Sequence, residues 1–336
     1  MRAILALLLL LAFPAHAEWR ISDPWPAPAE TADIKPLDVS FASTSPFSPA
    51  DLGRAEPTTA QARLFLPPGT HAPRSLPAVI MLHGSGGVLW ARELTYGAQL
   101  ARMGVAALVI DSFAPRRDRA TTFIERLLEI TESMVLADAY AGLAFLAERP
   151  EIDPGRVVLA GFSYGAMSTM YAMQKQVAEK LAPSGLRFAG HVAFYGPCIA
   201  RFEDKRTTGA PLLMLYGSSD ELIDPERCRE IADDMRAGSS SVETIVYSGG
   251  VHQWDGGAPL RPIGRLLNPC RFVVAPDGTV RDDRTSLTMT GPLFRKISLF
   301  LCVENRPYMM GADAEIRVLS NRDFGRFLTR VFSRQE

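Results

Sequence analysis

Short apolar runs recur along the chain from about residue 60, and each is bounded by Gly, Pro or polar residues. The runs lie at 62–67, 78–82, 105–110, 157–161, 190–195, 211–216 and 242–247. Continuous apolar runs of this length are typical of parallel strands that are covered on both faces. The pattern therefore predicts seven strands in a mostly parallel sheet.

Stretches with helical periodicity separate these runs. We predict helices at about 92–103, 122–147, 164–181 and 225–236, and two more near the end, at about 292–303 and 323–333. Strands that alternate with helices indicate a three-layer α/β domain around a mostly parallel sheet. We assign this domain to residues 59–336.

Two parts of the chain lack this periodicity. Residues 18–58 contain seven prolines, and we predict an irregular lead-in that wraps the domain or stays mobile. Residues from about 255 to 290 are rich in Pro and Gly turn signals. We expect an excursion from the core there, with a small hairpin around Asp277-Gly278.

The first 17 residues have the form of a secretory signal peptide. Arg2 precedes the apolar run at 3–13, and Ala-His-Ala at 15–17 matches a signal-peptidase site. The run is shorter than the ~20 residues that a membrane-spanning helix needs. We predict cleavage after Ala17 and a periplasmic or secreted protein; an uncleaved membrane anchor is the alternative.

The charge of the chain gives no reason to expect a polyanionic partner. Its formal net charge is −1, and loss of Arg2 with the signal peptide changes this to −2. A near-neutral chain has no electrostatic preference for nucleic acid or anionic lipid. We therefore expect no nucleic-acid partner. No later segment is long and apolar enough to span a membrane, so we also expect no stable membrane insertion after cleavage. The partner that we expect is a small-molecule substrate. The oligomeric state stays open.

The cysteines indicate disulfides. Cys198, Cys228, Cys270 and Cys302 are an even number in a chain that we predict to be exported, and four cysteines allow three pairings. A zinc site is the competing interpretation. It is disfavoured because no two cysteines have C-x-x-C spacing and no His pair lies nearby.

The stretch with the most chemical content is Gly-Phe-Ser-Tyr-Gly at 161–165, where a predicted strand meets a predicted helix. This context is that of a nucleophile elbow, a turn so sharp that Cβ atoms at the flanking positions would clash. The turn holds Ser163 near the amino end of the helix, where the helix dipole favours negative charge. A tight turn without a chemical role is the alternative.

A serine hydroxyl is a weak nucleophile unless a base takes its proton. His252 is the candidate base because it follows the last predicted core strand, on a glycine-rich loop. We interpret His83 as a brace of its own turn and His191 as structural. An ordinary loop histidine is the alternative interpretation of His252.

The base needs an acid that fixes its tautomer and stabilises the imidazolium. Asp220 is the candidate because it lies just past the strand at 211–216. Glu221, Asp224 and Asp255 are rivals, and Asp224 precedes a proline and is suited to cap the next helix. The chain order nucleophile, acid, base is that of α/β-hydrolases.

Donors for an oxyanion are expected in the Gly-rich turn at 83–87, which follows the strand at 78–82. We assign one donor to the backbone N–H of Tyr164, just after the nucleophile. The other is assigned to the N–H of Ser85, with Gly84 and Gly86 as alternatives. The alternative interpretation is an ordinary glycine turn.

Together these motifs resemble the α/β-hydrolase superfamily and, within it, the dienelactone hydrolase family. The resemblance covers about residues 60–303 and depends on HGSGG, DSFAPR, GFSYGA, YGSSDELIDPERC and VHQWD. It implies hydrolysis of esters or lactones through an acyl-enzyme, with no metal and no cofactor. Ser163 takes the nucleophile position, Asp220 that of the acid and His252 that of the base.

One departure from the family bears on the substrate. The dienelactone hydrolases that named the family carry Cys as nucleophile, so Ser163 favours a general carboxylesterase. Exported relatives resemble this chain in having one Cys after the strand that ends in FYG and another in the helix after the acid. This implies a Cys198–Cys228 disulfide and leaves Cys270–Cys302 as the other pair.

Two other functions remain as alternatives. A peptidase of the prolyl-oligopeptidase type shares the catalytic core, but it usually needs a second domain, and residues 18–58 are too few for a propeller. A hydrolase-fold binding protein with a vestigial triad belongs to a different functional class.

Overall fold

The structure is a computed structural model that describes residues 21–182, 184–266 and 269–333. The described strands are β1 (Leu37–Thr44), β2 (Pro57–Phe65), β3 (Leu76–Leu82), β4 (Ala106–Asp111), β5 (Ile152–Phe162), β6 (Gly190–Phe194), β7 (Ala200–Phe202), β8 (Leu212–Gly217), β9 (Val242–Tyr247), β10 (Arg261–Leu266), β11 (Phe272–Val274), β12 (Val280–Asp282) and β13 (Glu304–Met310). The α-helices are α1 (Thr95–Arg102), α2 (Phe123–Glu129), α3 (Glu132–Ala147), α4 (Tyr164–Ala172), α5 (Lys175–Leu181), α6 (Pro225–Ala237), α7 (Pro292–Cys302) and α8 (Ala314–Phe332).

Eight strands form the central sheet, in the order β1-β2-β4-β3-β5-β6-β8-β9. The pairs β1–β2 and β2–β4 are antiparallel, and the other five pairs are parallel. The predicted α/β fold with a mostly parallel sheet is confirmed. All seven apolar runs correspond to strands of this sheet.

Both faces of the sheet are covered, as the continuous apolar runs predict. Along β3, Ala78, Ile80 and Leu82 pack in one core cluster, on the side of α3 and α4. Val79 and Met81 point the other way, into a second cluster with residues of α1 and α8. Successive side chains of a strand face opposite sides of the sheet. A strand that is buried on both faces is therefore apolar at every position and does not alternate between apolar and polar residues.

The Pro-rich lead-in is more regular than predicted. Residues 37–44 form β1, which pairs with β2 along its whole length at the edge of the sheet. All of its residues are half-buried or exposed, and it has no continuous apolar run. Before it, Trp25 packs on Tyr96 and Phe324 with ring centroids 5.5 and 5.6 Å apart. The lead-in thus contacts the domain through Trp25 and through β1.

Two long predicted helices are each broken in two. The stretch at 122–147 is interrupted at Ile130 and Thr131, whose backbones are extended. The stretch at 164–181 is interrupted at Gln174, also extended. The last helix begins nine residues earlier than predicted, where the Asp313 carboxylate accepts hydrogen bonds from the N–H groups of Glu315 and Ile316.

The excursion from the core is longer than the predicted 255–290. The hairpin around Asp277-Gly278 is present as β11 and β12, and β11 also pairs with β7. The chain then forms α7 and β13. It returns to the core at Gly311, whose N–H donates to the His252 carbonyl at 3.0 Å. We call residues 256–312 the excursion segment.

Two disulfides join the four cysteines, in the pairing that the family resemblance implies: Cys198–Cys228 and Cys270–Cys302. The first links the segment after β6 to α6, within the core. The second has both of its cysteines in the excursion segment. A bond between two parts of one segment holds that segment together but does not tie it to the sheet.

The predicted signal peptide at 1–17 lies outside the described residues, so its cleavage stays a prediction. Within the described residues, no single helix is long and apolar enough to cross a membrane. Helices α2 and α3 meet that test only together, by length and composition, and they are bent by 74° at the break between them.

Replacing Cys270 and Cys302 with Ala should loosen the excursion segment and leave the central sheet folded. Replacing Cys198 and Cys228 should instead destabilise the core, by about 3–4 kcal/mol in the chain-entropy account of a loop of this length. Limited trypsin digestion with mass spectrometry should find early cuts within 256–312 only in the first variant. Identical digestion of that variant and the wild type would contradict the expectation.

Candidate active site

The turn between β5 and α4 forces Ser163 into an unusual backbone conformation. Its φ is 51° and its ψ is −108°, a region that residues with a Cβ rarely adopt. A Cβ atom on Gly161 would lie 2.2 Å from the Gly165 carbonyl oxygen, and one on Gly165 would lie 2.4 Å from that of Leu82. The clash expected from the sequence is present, so both positions require glycine.

The turn presents the Ser163 side chain at the carboxyl edge of the sheet. The Ser163 N–H donates to the Phe194 carbonyl at 2.9 Å, which fixes the turn to the end of β6. Phe162 and Tyr164 are buried on either side, whereas Ser163 is partly exposed. The hydroxyl is thus accessible, while the backbone that carries it is held from both sides.

Ser163, His252 and Asp220 form a continuous chain of hydrogen bonds. His252 Nε2 lies 2.8 Å from Ser163 Oγ, and His252 Nδ1 lies 2.8 Å from Asp220 Oδ2. In the matching tautomer, the serine hydroxyl donates to Nε2 and the Nδ1–H donates to the carboxylate. The ends of β5, β8 and β9 bring these residues together, since the carboxyl ends of parallel strands share one edge of the sheet.

The acid and the histidine are both buried, and the carboxylate has a partner for each of its oxygens. The Asp220 side chain is fully buried and that of His252 is 3% exposed. The second carboxylate oxygen of Asp220 accepts the Leu222 N–H at 3.0 Å. A buried carboxylate is costly unless its oxygens are hydrogen-bonded, and here both are.

The rival acids lie elsewhere. Glu221 pairs with Arg306 at the surface. Asp224 caps α6 by accepting hydrogen bonds from two backbone N–H groups, as its position before a proline indicates. Asp255 is buried, but its oxygens accept hydrogen bonds from two tyrosines and not from His252. Of the four candidate acids, Asp220 is the one that reaches the histidine.

The other core histidines have the structural surroundings that we expected. His83 Nδ1 lies 2.7 Å from the Gly84 carbonyl oxygen, and its Nε2 accepts the Ser112 N–H at 3.2 Å, so the ring braces its own turn. His191 is fully buried in β6, and burial lowers its pKa to about 3. It is therefore a neutral core residue.

The glycine-rich turn after β3 lies beside the nucleophile. The Gly87 N–H donates to the Gly84 carbonyl at 3.0 Å, which closes a turn with Ser85 and Gly86 at its centre. A Cβ atom on Gly84 would lie 3.5 Å from the Cβ of Ser163. This contact places the turn that carries Ser85 next to the nucleophile, where the sequence predicts an oxyanion donor.

The side chain of Tyr164 points away from the nucleophile. Its hydroxyl donates to the Ile130 carbonyl at 2.7 Å, and burial raises its pKa well above the usual value. The neutral phenol anchors the start of α4 to the break between α2 and α3. Its backbone N–H, which the sequence assigns to the oxyanion, is the first of that helix.

The excursion segment also reaches the site. Tyr308 of β13 packs edge-on against His252, with ring centroids 6.2 Å apart. Burial raises the pKa of Tyr308 to about 12, so its hydroxyl is neutral at ordinary pH. Sequence reasoning did not identify this residue, because β13 has no apolar pattern that would predict a strand.

A buried polar network behind the site was also missed. Its members are at most 1% exposed: Arg92, Glu93, Tyr96, Tyr195 and Asp255. Their hydrogen bonds run without a break from the segment after the glycine-rich turn to the segment after His252. The one signal in the sequence is a charged Arg-Glu pair at the start of the helix predicted at 92–103. We call these five residues the Arg92–Asp255 network.

The charges of this network are set by burial and by one another. Burial lowers the pKa of Arg92, but Glu93, Tyr195 and Asp255 raise it to a value above the usual one, so the guanidinium stays charged. Burial raises the pKa of Asp255, against the opposing effect of Arg92. Burial also raises the pKa of Tyr195 and keeps it a neutral donor.

No group of three or more His, Cys, Asp or Glu side chains in the described parts of the chain is arranged to hold a metal ion. All four cysteines are taken up by the two disulfides.

The central sheet, the strained serine turn, and the acid and histidine after successive strands define an α/β-hydrolase. The family model of the dienelactone hydrolase family matches residues 61–255, which is more than half of the chain. The chain therefore belongs to the dienelactone hydrolase family, whose members are hydrolases. The match ends just before the excursion segment.

Solved structures with a related fold include a dienelactone hydrolase-like promiscuous phosphotriesterase, P91, from metagenomic libraries. It is 20% identical, with a TM-score of 0.50 over 65% of this chain and 84% of its own. A putative dienelactone hydrolase from Klebsiella pneumoniae is 21% identical, with a TM-score of 0.45 over 64% and 88%. Esterase 2 of Thermogutta terrifontis is 14% identical, with a TM-score of 0.46 over 66% and 84%.

At 20% identity, the P91 structure shows a shared fold and no more. No curated protein matched the chain.

Replacing Gly165 with Ala should destabilise the protein, because the new Cβ must displace α4 from the Leu82 carbonyl. We expect the free energy of unfolding to fall by about 2 kcal/mol or more, as for other overpacked sites. The melting temperature in differential scanning fluorimetry should be clearly lower. Gly155→Ala is the matched control, since the nearest atom to its Cβ is a side-chain oxygen at 3.4 Å. Equal melting temperatures for the two variants would refute this account of the turn.

Proposed function

We propose that this protein is a serine hydrolase that cleaves carboxylic esters or lactones through an acyl-enzyme intermediate. The observation that carries the proposal is the buried chain from Asp220 through His252 to the partly exposed Ser163, with both of its hydrogen bonds at 2.8 Å. Membership of a hydrolase family agrees with it. Each residue then has one role.

In the first half of the reaction, Ser163 Oγ attacks the ester carbonyl carbon while its proton passes to His252 Nε2. Asp220 holds the Nδ1–H and stabilises the imidazolium that forms. The carbonyl oxygen becomes an oxyanion, for which we propose the backbone N–H groups of Ser85 and Tyr164 as donors. When the tetrahedral intermediate collapses, the C–O bond to the alcohol breaks and His252 protonates the leaving alkoxide.

In the second half, the acyl group is bound to Ser163 as an ester. A water molecule gives a proton to His252 Nε2 as its oxygen attacks the acyl carbon. Collapse of this second intermediate breaks the bond to Ser163 Oγ, and His252 returns the proton to it. The products are a carboxylic acid and an alcohol, or one hydroxy acid from a lactone, and the side chains end as they began.

A serine nucleophile favours a general carboxylesterase over an enzyme specific for dienelactone. An alcohol is far less acidic than a thiol and depends on the adjacent base for its proton transfer. The short contacts of His252 on both ring nitrogens suit that dependence. The mature chain is proposed to act in the periplasm or outside the cell, since disulfides persist in oxidising compartments.

Replacing Ser163 with Ala should abolish the hydrolysis of short p-nitrophenyl esters and the labelling by a fluorophosphonate probe. The reason is that Ser163 supplies the hydroxyl that is hydrogen-bonded to His252 Nε2, at 2.8 Å. Ser168→Ala is the matched control, because it removes a buried hydroxyl from the same helix, α4, away from the histidine. It should keep both activities.

Two outcomes would count against the proposal. Unchanged turnover in the Ser163 variant would exclude it as the nucleophile. A folded wild-type protein that neither labels nor turns over a panel of esters and lactones would favour a binding protein.

Replacing Asp220 with Asn should lower kcat by about 10³–10⁴-fold while the fold is retained. The amide would donate to Nδ1 and so place the proton on Nε2, where it blocks transfer from the serine. Asp224→Asn is the control, since Asn caps a helix about as well as Asp. Ester turnover with matched circular dichroism spectra checks this expectation. Equal rates for the two variants would remove Asp220 from the mechanism.

A further inference from the structure

The Arg92–Asp255 network joins the two loops on which the proposed chemistry depends. One end contacts the segment at 84–89, which begins with the glycine-rich turn that carries Ser85. The other end is Asp255, three residues after His252. The inference below rests on the proposed function, because it concerns how these two loops are held.

At the first end, Glu93 fixes the end of the glycine-rich segment. Its Oε2 accepts the Leu89 N–H at 2.9 Å. Its Oε1 accepts from Arg92 Nη2 at 2.6 Å and from Nε at 2.8 Å. The carboxylate thus ties the segment to the guanidinium with charge-assisted hydrogen bonds, which are stronger than neutral ones.

The Arg92 guanidinium packs directly against the backbone of the site. Its Nη2 would lie 3.3 Å from a Cβ atom on Gly84, so glycine leaves room for it there. Its Cζ lies 4.9 Å from the ring centroid of Phe162, the residue that precedes the nucleophile. The cation is therefore in contact with both the glycine-rich turn and the elbow.

At the second end, Tyr195 connects the guanidinium to the segment that follows His252. Its hydroxyl accepts from Arg92 Nη1 at 3.3 Å and donates to Asp255 Oδ1 at 2.5 Å. Its ring meets the ring of His252 edge-on, with centroids 4.9 Å apart. Tyr96 donates to the other oxygen of Asp255 at 3.2 Å, so both carboxylate oxygens are occupied.

Stability alone is a weak reason for such a network. Desolvating two opposite charges is costly, and apolar residues of similar size are often as stable in their place. Hydrogen bonds, unlike apolar contacts, define direction and distance. A fully satisfied buried network is therefore suited to hold two loops in one relative position.

We propose that the Arg92–Asp255 network is a positioning device for the catalytic groups. Glu93 and Arg92 hold the segment that carries the Ser85 N–H. Tyr195 and Asp255 hold the His252 segment at a fixed distance from it. None of the five residues reacts with substrate. They set the distance between the oxyanion donors and the base. A misplacement of these groups by about 1 Å makes catalysis much less effective.

The test is Tyr195→Phe, which removes the hydroxyl that joins Arg92 to Asp255 and keeps the ring on His252. We expect kcat to fall at least tenfold with KM within about threefold. Affinity for a trifluoromethyl ketone, which becomes a tetrahedral adduct on the serine, should fall by the same factor as kcat/KM. Tyr140→Phe is the matched control, because it removes an equally buried hydroxyl that donates to Ala172 at 2.7 Å, outside the network.

A merely structural role would give a different result. Both tyrosine variants would then lose melting temperature alike, with kcat within twofold of wild type, and this outcome overturns the inference. Should Tyr195→Phe not fold, Arg92→Lys decides by the same comparison, since lysine keeps the charge but loses the forked geometry. A wild-type protein without turnover or labelling would sink the proposed function, and the positioning role with it.

Discussion

Helix α4 approaches β3 and β5 so closely that hydrogen atoms are the only side chains that fit between them. The Gly165 backbone abuts the Leu82 carbonyl, and the Gly161 backbone abuts that of Gly165. Because of this contact the chain must reverse within one residue, and Ser163 takes up the strained conformation. The surrounding parallel strands supply the stability that a strained residue needs. The nucleophile thus owes its exposure to a close backbone contact between α4 and the sheet.

Much of this site is predictable because the edge of a parallel sheet collects residues that follow its strands. Ser163, Asp220 and His252 each lie just after an apolar run, so locating the runs brings the three together. The choice of Asp220 over Asp224 also follows from local chemistry, since an acid before a proline caps a helix. The pairing of the cysteines came from the family resemblance, because four cysteines alone leave three pairings open.

Other features depend on tertiary contacts that leave little trace in the sequence. Strand β1 is an edge strand with no buried residue, so no apolar run indicates its pairing with β2. The break at Ile130 and Thr131 interrupts a stretch whose periodicity is helical throughout. The roles of Arg92 and Tyr195 depend on partners 103 residues apart in the chain. A charged pair at the start of a predicted helix is expected to lie on the surface, so its burial cannot be predicted from the sequence.

The excursion segment leaves and re-enters the core at nearly one point. The Gly311 N–H donates to the carbonyl of His252, and the Asp313 N–H donates to that of Trp254. The two ends of the 57-residue segment are therefore within hydrogen-bond distance of each other. Closing a loop between adjacent ends costs free energy that grows only slowly with loop length. The segment therefore has the topology of an insertion: its two ends lie together beside the histidine, so its length is not set by the distance that it must span.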